Sequence, residues 1–247
     1  SPWPRVYGIE NALIDGAGDS PYAQIDDRGR YKLRILFDEA DNADASASMW
    51  VRMSQPHGGQ SEGFHFPLRK GTEVMLSFLG GDPDQPVISG VLPNELTKSP
   101  VTDQNATENV IRTGSLNELV MGDEQGKEFV HLATPHQTTS IHLGDPAAAH
   151  HLEVLTDGDA HTAIGGKLDE EIIGDKTQSV TGMVEKTHMA DETKTVFGTC
   201  SYSIGEDKSS VTMNNESSVT IGNRASVTLG NSVSFTAGAQ FSRTVGM

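Results

Sequence analysis

Glycines recur every eight residues along the second half of the chain, and that period restricts the fold more than any other feature. Counting back in eights from Gly246 to Gly158 gives twelve positions, and nine of them are glycine. The exceptions are Ala190, Glu206 and Asn214. With 26 glycines in 247 residues, chance would fill roughly one such position, so the octad is a true repeat. Asn214 is the non-glycine residue that best tolerates a left-handed backbone, and at Glu206 the glycine has moved one place earlier, to Gly205.

The apolar phase moves too. Ile164, Ile172, Val180 and Val196 stand two places before the octad position; farther on, Val219 and Ile221, Val227 and Leu229 stand three and one before it. A one-residue slip exchanges the faces of a strand, so a bulge is expected between Gly198 and Val211. Between glycines the array is rich in Val, Ile and Thr, which favour extended backbone. Eight extended residues span only about 26 Å, too little for one chain to wind round a core and return above itself. Three intertwined chains meet the geometry, each giving one side of a triangular layer of about twenty-four residues. Eleven octad steps at the strand spacing make a rod roughly 50 Å long, closed so that no sheet edge is left free. The expected interior holds Val180, Val196, Val211, Val219, Ile221, Val227, Leu229 and Phe235, with Gly222, Gly230 and Gly238 at the corners.

The first half differs. All 11 prolines lie at or before Pro146. Short strands are expected at Tyr31–Phe37, Ser48–Gln55, Gly71–Gly80 and Pro86–Pro93, joined by the turn-rich stretches DDRGR, PHGGQSEG and GGDPDQP. Tyr31, Leu33, Ile35 and Phe37 alternate with Lys32, Arg34 and Leu36, the period of a half-buried strand. Helix signals are nearly absent. The fold class is therefore all-β: a small barrel over residues 1–96, a polar connector over 97–118, and the octad array over 119–247.

Charge narrows the function. With 18 Lys and Arg against 34 Asp and Glu, the net charge of −16 opposes nucleic-acid binding and electrostatic membrane binding. The lone Cys200 allows no intrachain disulfide and fits a reducing cytoplasm. The opening SPWPRVYG is no secretory signal, and no stretch reaches membrane-spanning length, so a soluble protein exported without a signal peptide is expected.

Taken together, RVYGIE, DDRGRYKLRILFD, WVRMSQPHGG and FHFPLRKGTEVMLSFLGGDPDQPVISG, followed by the octads VTG (Val180–Gly182) and VFG (Val196–Gly198), resemble the VgrG spikes of type VI secretion and the related cell-puncturing needle of contractile phage tails. The resemblance implies an OB-fold-like barrel followed by a trimeric, triple-stranded β-helix. It also implies a non-enzymatic spike at the tip of a contractile tube that carries effectors into target cells. Its implied partners are two further copies of itself, a PAAR-type tip protein, effectors, and the Hcp tube through a hub domain that this chain lacks. It implies assembly in the bacterial cytoplasm and secretion by the contractile machine. A phage tail spike of the same build is the alternative from the same class.

Sharper chemical signals compete with this reading. GQSEG (Gly59–Gly63) satisfies G-x-S-x-G with His57 and His65 nearby, but it lies in a glycine-rich loop between strands rather than on a strand-to-helix turn. His188 takes the octad slot of Val180 and Val196, where three symmetry-related imidazoles could hold an axial metal or anion; the alternative is an outward or water-bonded polar residue in an irregular octad beside Ala190. His142, His150 and His151 show no ligand spacing, and no cofactor is expected. The carboxylates of GDPDQP and LDEEIIGD lack calcium-loop spacing and read as solvated turns. Cys200 reads as a small strand filler. A carbohydrate-active β-helix would need an aromatic groove and paired carboxylates, whereas the octads offer Phe197, Tyr202, Phe235 and Phe241 with no recurring carboxylate.

Overall fold

The computed structural model describes residues 3–22, 24–36, 46–144 and 151–204. The chain divides into two compact units, Ser1–Asp169 and Glu170–Met247.

The first unit opens with a barrel. Its strands are β1 (Glu10–Asp15), β2 (Lys32–Ile35), β3 (Arg52–Met53), β4 (Glu73–Phe78) and β5 (Pro86–Val91). They form one sheet in the order β2-β1-β4-β5-β3, antiparallel except for the β3–β5 pair. The two edges then meet: Tyr31 and Val51 exchange backbone hydrogen bonds of 2.9 and 2.8 Å, which closes the sheet on itself. Alternation sends Ala12, Ile14, Tyr31, Leu33, Val51, Val74, Leu76 and Ile88 inside, where each is at most 2% exposed. A register shift between Met75 and Leu76 opposite β5 adds the bend that closure requires.

Two expectations from sequence change here. β1, ENALID, was not among the expected strands, because Glu, Asn and Asp are poor strand formers; pairing on both sides with β2 and β4 overrides that preference. The strand expected over Ser48–Gln55 shrinks to two residues, since the Ser48 side chain takes the place of a ladder partner and accepts the Leu33 N–H at 2.8 Å.

The segment 97–118, expected as a connector, begins as one and then becomes a strand. Asn94 Oδ1 accepts the N–H groups of Leu96 and Thr97, an Asx turn that leads the chain out of β5. Asn105 makes the next turn, accepting from Thr102 N–H. β6 (Glu108–Arg112) then starts a second five-stranded sheet with β7 (Glu118–Gly122), β8 (Phe129–Thr134), β9 (Thr139–Leu143) and β10 (Leu152–Leu155). Every neighbour is antiparallel, a plain meander, in a region expected to start the octads at residue 119. β6 was hidden because its two apolar residues, Val110 and Ile111, are adjacent and give no alternation.

Gly122 and Phe129 face each other across β7 and β8, and the Phe129 ring lies over Gly122. A β-carbon at Gly122 would overlap that ring. Gly122→Val is therefore expected to lower stability by about 1–3 kcal/mol, read as a lower urea midpoint of the meander. An unchanged midpoint would show that the ring does not depend on the glycine.

Candidate assembly surface

In the meander, register decides which side chains share a face. Ile111, Leu119, Leu132, Ile141 and Val154 stand directly opposite one another across all five strands. The adjoining row on the same face is Asn109, Met121, Val130, Leu143 and Leu152. Nine of these ten residues are apolar, yet Leu132, Leu143, Leu152 and Val154 are 48–66% exposed in the single chain. Monomeric proteins do not keep continuous apolar faces of this kind in water. The opposite face carries Val110, Val120, His131, His142 and Glu153 in one row and is the better covered of the two.

Past β10 the backbone bends at 157–158, 165–166, 173–174, 181–182, 189–190 and 197–198, an eight-residue interval throughout. Between bends the backbone forms no helix, turn or strand of its own. Among the described residues, no backbone–backbone hydrogen bond involves residues 159–204. Backbone N–H and C=O groups are obligatory hydrogen-bonding groups, and a long segment without intrachain partners offers all of them to water or to another chain.

The octad glycines work differently from the sequence expectation. None of Gly158, Gly166, Gly174, Gly182 or Gly198 has a positive φ, and the chain bends at Ala190 as it does at the glycines. Among the described residues nothing lies within 4 Å of a β-carbon placed at Gly166, Gly174, Gly182 or Gly198, whereas one at Gly158 would meet the Gln137 side chain. Neither a left-handed turn nor a described neighbour therefore accounts for Gly166, Gly174, Gly182 and Gly198.

The slot two before each bend position is consistently the less exposed. Ile164, Ile172, Val180 and Val196 are 46–49% exposed, against 96–101% for Ile173, Met189 and Phe197 one place later. His188, in the same slot as Val180, is half exposed, with Nε2 3.8 Å from Glu192 Oε2. Lys194 donates to the Tyr202 hydroxyl one octad on, at 2.8 Å, with its ammonium over that ring. That hydrogen bond leads the causes that raise the lysine pKa. Cys200 is exposed, with Lys194 Nζ 3.8 Å from its sulfur. The expected interior residues Val211, Val219, Ile221, Val227, Leu229 and Phe235, and the corners Gly222, Gly230 and Gly238, lie outside the described residues.

Among the described residues the G-x-S-x-G loop assembles no triad. Ser61 Oγ has its contact with Glu62 at 3.5 Å. The His65 ring is engaged elsewhere: Nε2 is 2.7 Å from the Tyr31 hydroxyl and Nδ1 is 3.4 Å from Gln55 Nε2. The Tyr31 hydroxyl also accepts the Leu68 N–H at 3.2 Å, and burial raises its pKa. His65 thus anchors a loop to the barrel core rather than serving a nucleophile.

The closed barrel, the unpaired octads and the uncovered sheet face now meet the comparisons with known proteins. Residues 23–92 match the family described as type VI secretion system/phage-baseplate injector OB domain. The chain is 33% identical over 171 residues to the type VI secretion system spike protein VgrG5 of Pseudomonas aeruginosa, an overlap of 65% of this chain and 21% of the relative. Over residues 23–92 the chain is similar to this injector OB domain, and over a longer stretch it is similar to a VgrG spike protein. It is also 36% identical over 138 residues to the actin cross-linking toxin VgrG1 of Vibrio cholerae, covering 53% of this chain and 12% of that protein. Against the spike protein VgrG1b of P. aeruginosa it is 34% identical over 143 residues, 53% of this chain and 19% of the relative. The chain therefore aligns with about a fifth or less of the length of these curated relatives. The injector OB match falls within the first half, where the sequence analysis placed the barrel. Among the described residues no helix is long and apolar enough to cross a membrane.

The apolar face of the meander was not among the expectations from sequence. Its signal was present in FVHLAT and TSIHL, but only strand register shows that Leu132, Ile141 and Val154 line up.

Proposed function

We propose that this chain is a shaft segment of a homotrimeric, non-enzymatic puncturing spike that rides a type VI secretion tube and carries effectors into target cells. The observation that carries the reading is the octad backbone over residues 159–204, which makes no backbone hydrogen bond among the described residues. Three copies wound together give each strand neighbours for its N–H and C=O groups and cover Ile164, Ile172, Val180 and Val196 at the axis. Close approach of neighbouring chains also supplies the reason for glycine at bends where this chain alone demands none. The apolar face of the meander supports the same assembly, because association of three such faces removes them from water.

Mechanical work follows from this build. A needle pierces by remaining folded under axial load, and interchain backbone pairing resists sliding. The relatives named as type VI spike proteins favour a secretion spike over a phage tail spike. Within this reading the tube is engaged through a hub domain, a PAAR-type protein caps the distal end, and export proceeds through the contractile machine. His188 interrupts a run of apolar residues in its slot, Ile164, Ile172 and Val180 before it and Val196 after it, and an axial ion there would appear as bound metal in the purified trimer.

The deciding measurement is solution mass by light scattering, before and after mild heating in detergent. A heat-resistant species at three times 26.4 kDa is expected. A well-folded monomer would overturn the assembly and, with it, the puncturing role.

A further inference from the structure

We propose that His131, packed against His142, is an acid-sensitive joint of the meander: a proton taken up by the buried His131 ring loosens β8 from β9. The two residues are register partners on adjacent strands, and their ring centroids are 3.9 Å apart. His131 Nε2 faces Glu118 Oε1 at 3.8 Å, so the neutral ring carries its proton on Nε2, toward the carboxylate. Its Nδ1 is buried and has no hydrogen-bond partner. Protonation of His131 thus creates a buried N–H with no acceptor beside a second imidazole, and the folded sheet opposes it.

The charged groups around the pair set the balance. Glu118 on β7 favours a proton on His131 but is already held by Arg112 of β6, whose Nε donates to it at 2.8 Å. Glu153 of β10 stands opposite His142. Glu108 and His151 complete the lining of a cavity of about 370 Å³ in front of the rings. Among the described residues no three His, Cys, Asp or Glu side chains converge as a metal site.

Burial first, and His142 second, lower the His131 pKa from 6.5, against an opposing pull from Glu118. The sign follows directly. As pH falls below 6.5 the unfolded chain binds the proton before the folded chain does, so the stability this site contributes is present above that value and declines as the solution is acidified. The joint does not depend on the puncturing role, since it is built within one chain.

The test is amide hydrogen exchange of the full chain at about pH 7.5 and about pH 5, corrected for chemical exchange rates, with β4–β5 as internal reference. Protection over residues 129–143 is expected to fall about tenfold relative to that reference on acidification. His131→Phe or His142→Gln, whichever folds at neutral pH, is expected to remove most of the fall. Unchanged protection in the unsubstituted chain overturns the proposal, and so does a folded variant with the same acid response.

Discussion

Val180→Asp is expected to abolish the proposed trimer, leaving monomer or aggregate, while Phe197→Asp leaves it intact. Both substitutions fall in the octads and introduce the same charge, so the contrast isolates the slot. Val180 stands two before its bend position and is 49% exposed in the lone chain; Phe197 stands one before and is fully exposed. Intertwining would bring three copies of residue 180 to the axis. Each carboxylate placed there would lose its water without gaining a partner, at a cost of several kcal/mol per charge, and the three would repel one another. Mass measurement of the two variants under identical conditions is the check. A trimeric Val180→Asp chain, or loss of the trimer in Phe197→Asp, would reverse the assignment of inner and outer slots.

Tyr31→Ala is expected to cost about 3–5 kcal/mol, enough to unfold a barrel of ordinary stability. The ring is fully buried among Ile14, Leu33, Val51 and the rest of the core. Its backbone closes the barrel against Val51, and its hydroxyl holds both His65 and the Leu68 N–H. Tyr31→Phe separates these contributions. It keeps the ring and leaves two polar groups without their partner, at about 1–3 kcal/mol. Urea denaturation followed by tryptophan emission distinguishes the two variants. Equal losses would mean that the hydroxyl, rather than the ring, carries the stability.

Much of the barrel was legible because its strands obey a local rule. Tyr31 and Leu33 are buried and Lys32 and Arg34 are not, as alternation alone requires. β4 and β5 fall within the expected ranges, between turns marked by Gly, Pro and Asp. β1 escaped notice because its polar residues are tolerated only through pairing with β2 and β4. The octad period was equally legible, and the described bends follow it to the residue, including Ala190. At the described octad glycines φ is not positive, so the bends there need no left-handed backbone.

The sequence by itself determined the all-β character, the alternating core of the barrel and the eight-residue rhythm of the array. Each of these is written in neighbouring residues, through propensity and periodicity. The tertiary structure decided the closure of β2 onto β3 through Tyr31 and Val51, the strand inside the supposed connector, and the two faces of the meander. It alone aligned Ile111, Leu119, Leu132, Ile141 and Val154 on one side and set His131 against His142 on the other. Those are matters of register between strands distant in sequence, and a shift of one residue would exchange the two faces without altering any local pattern.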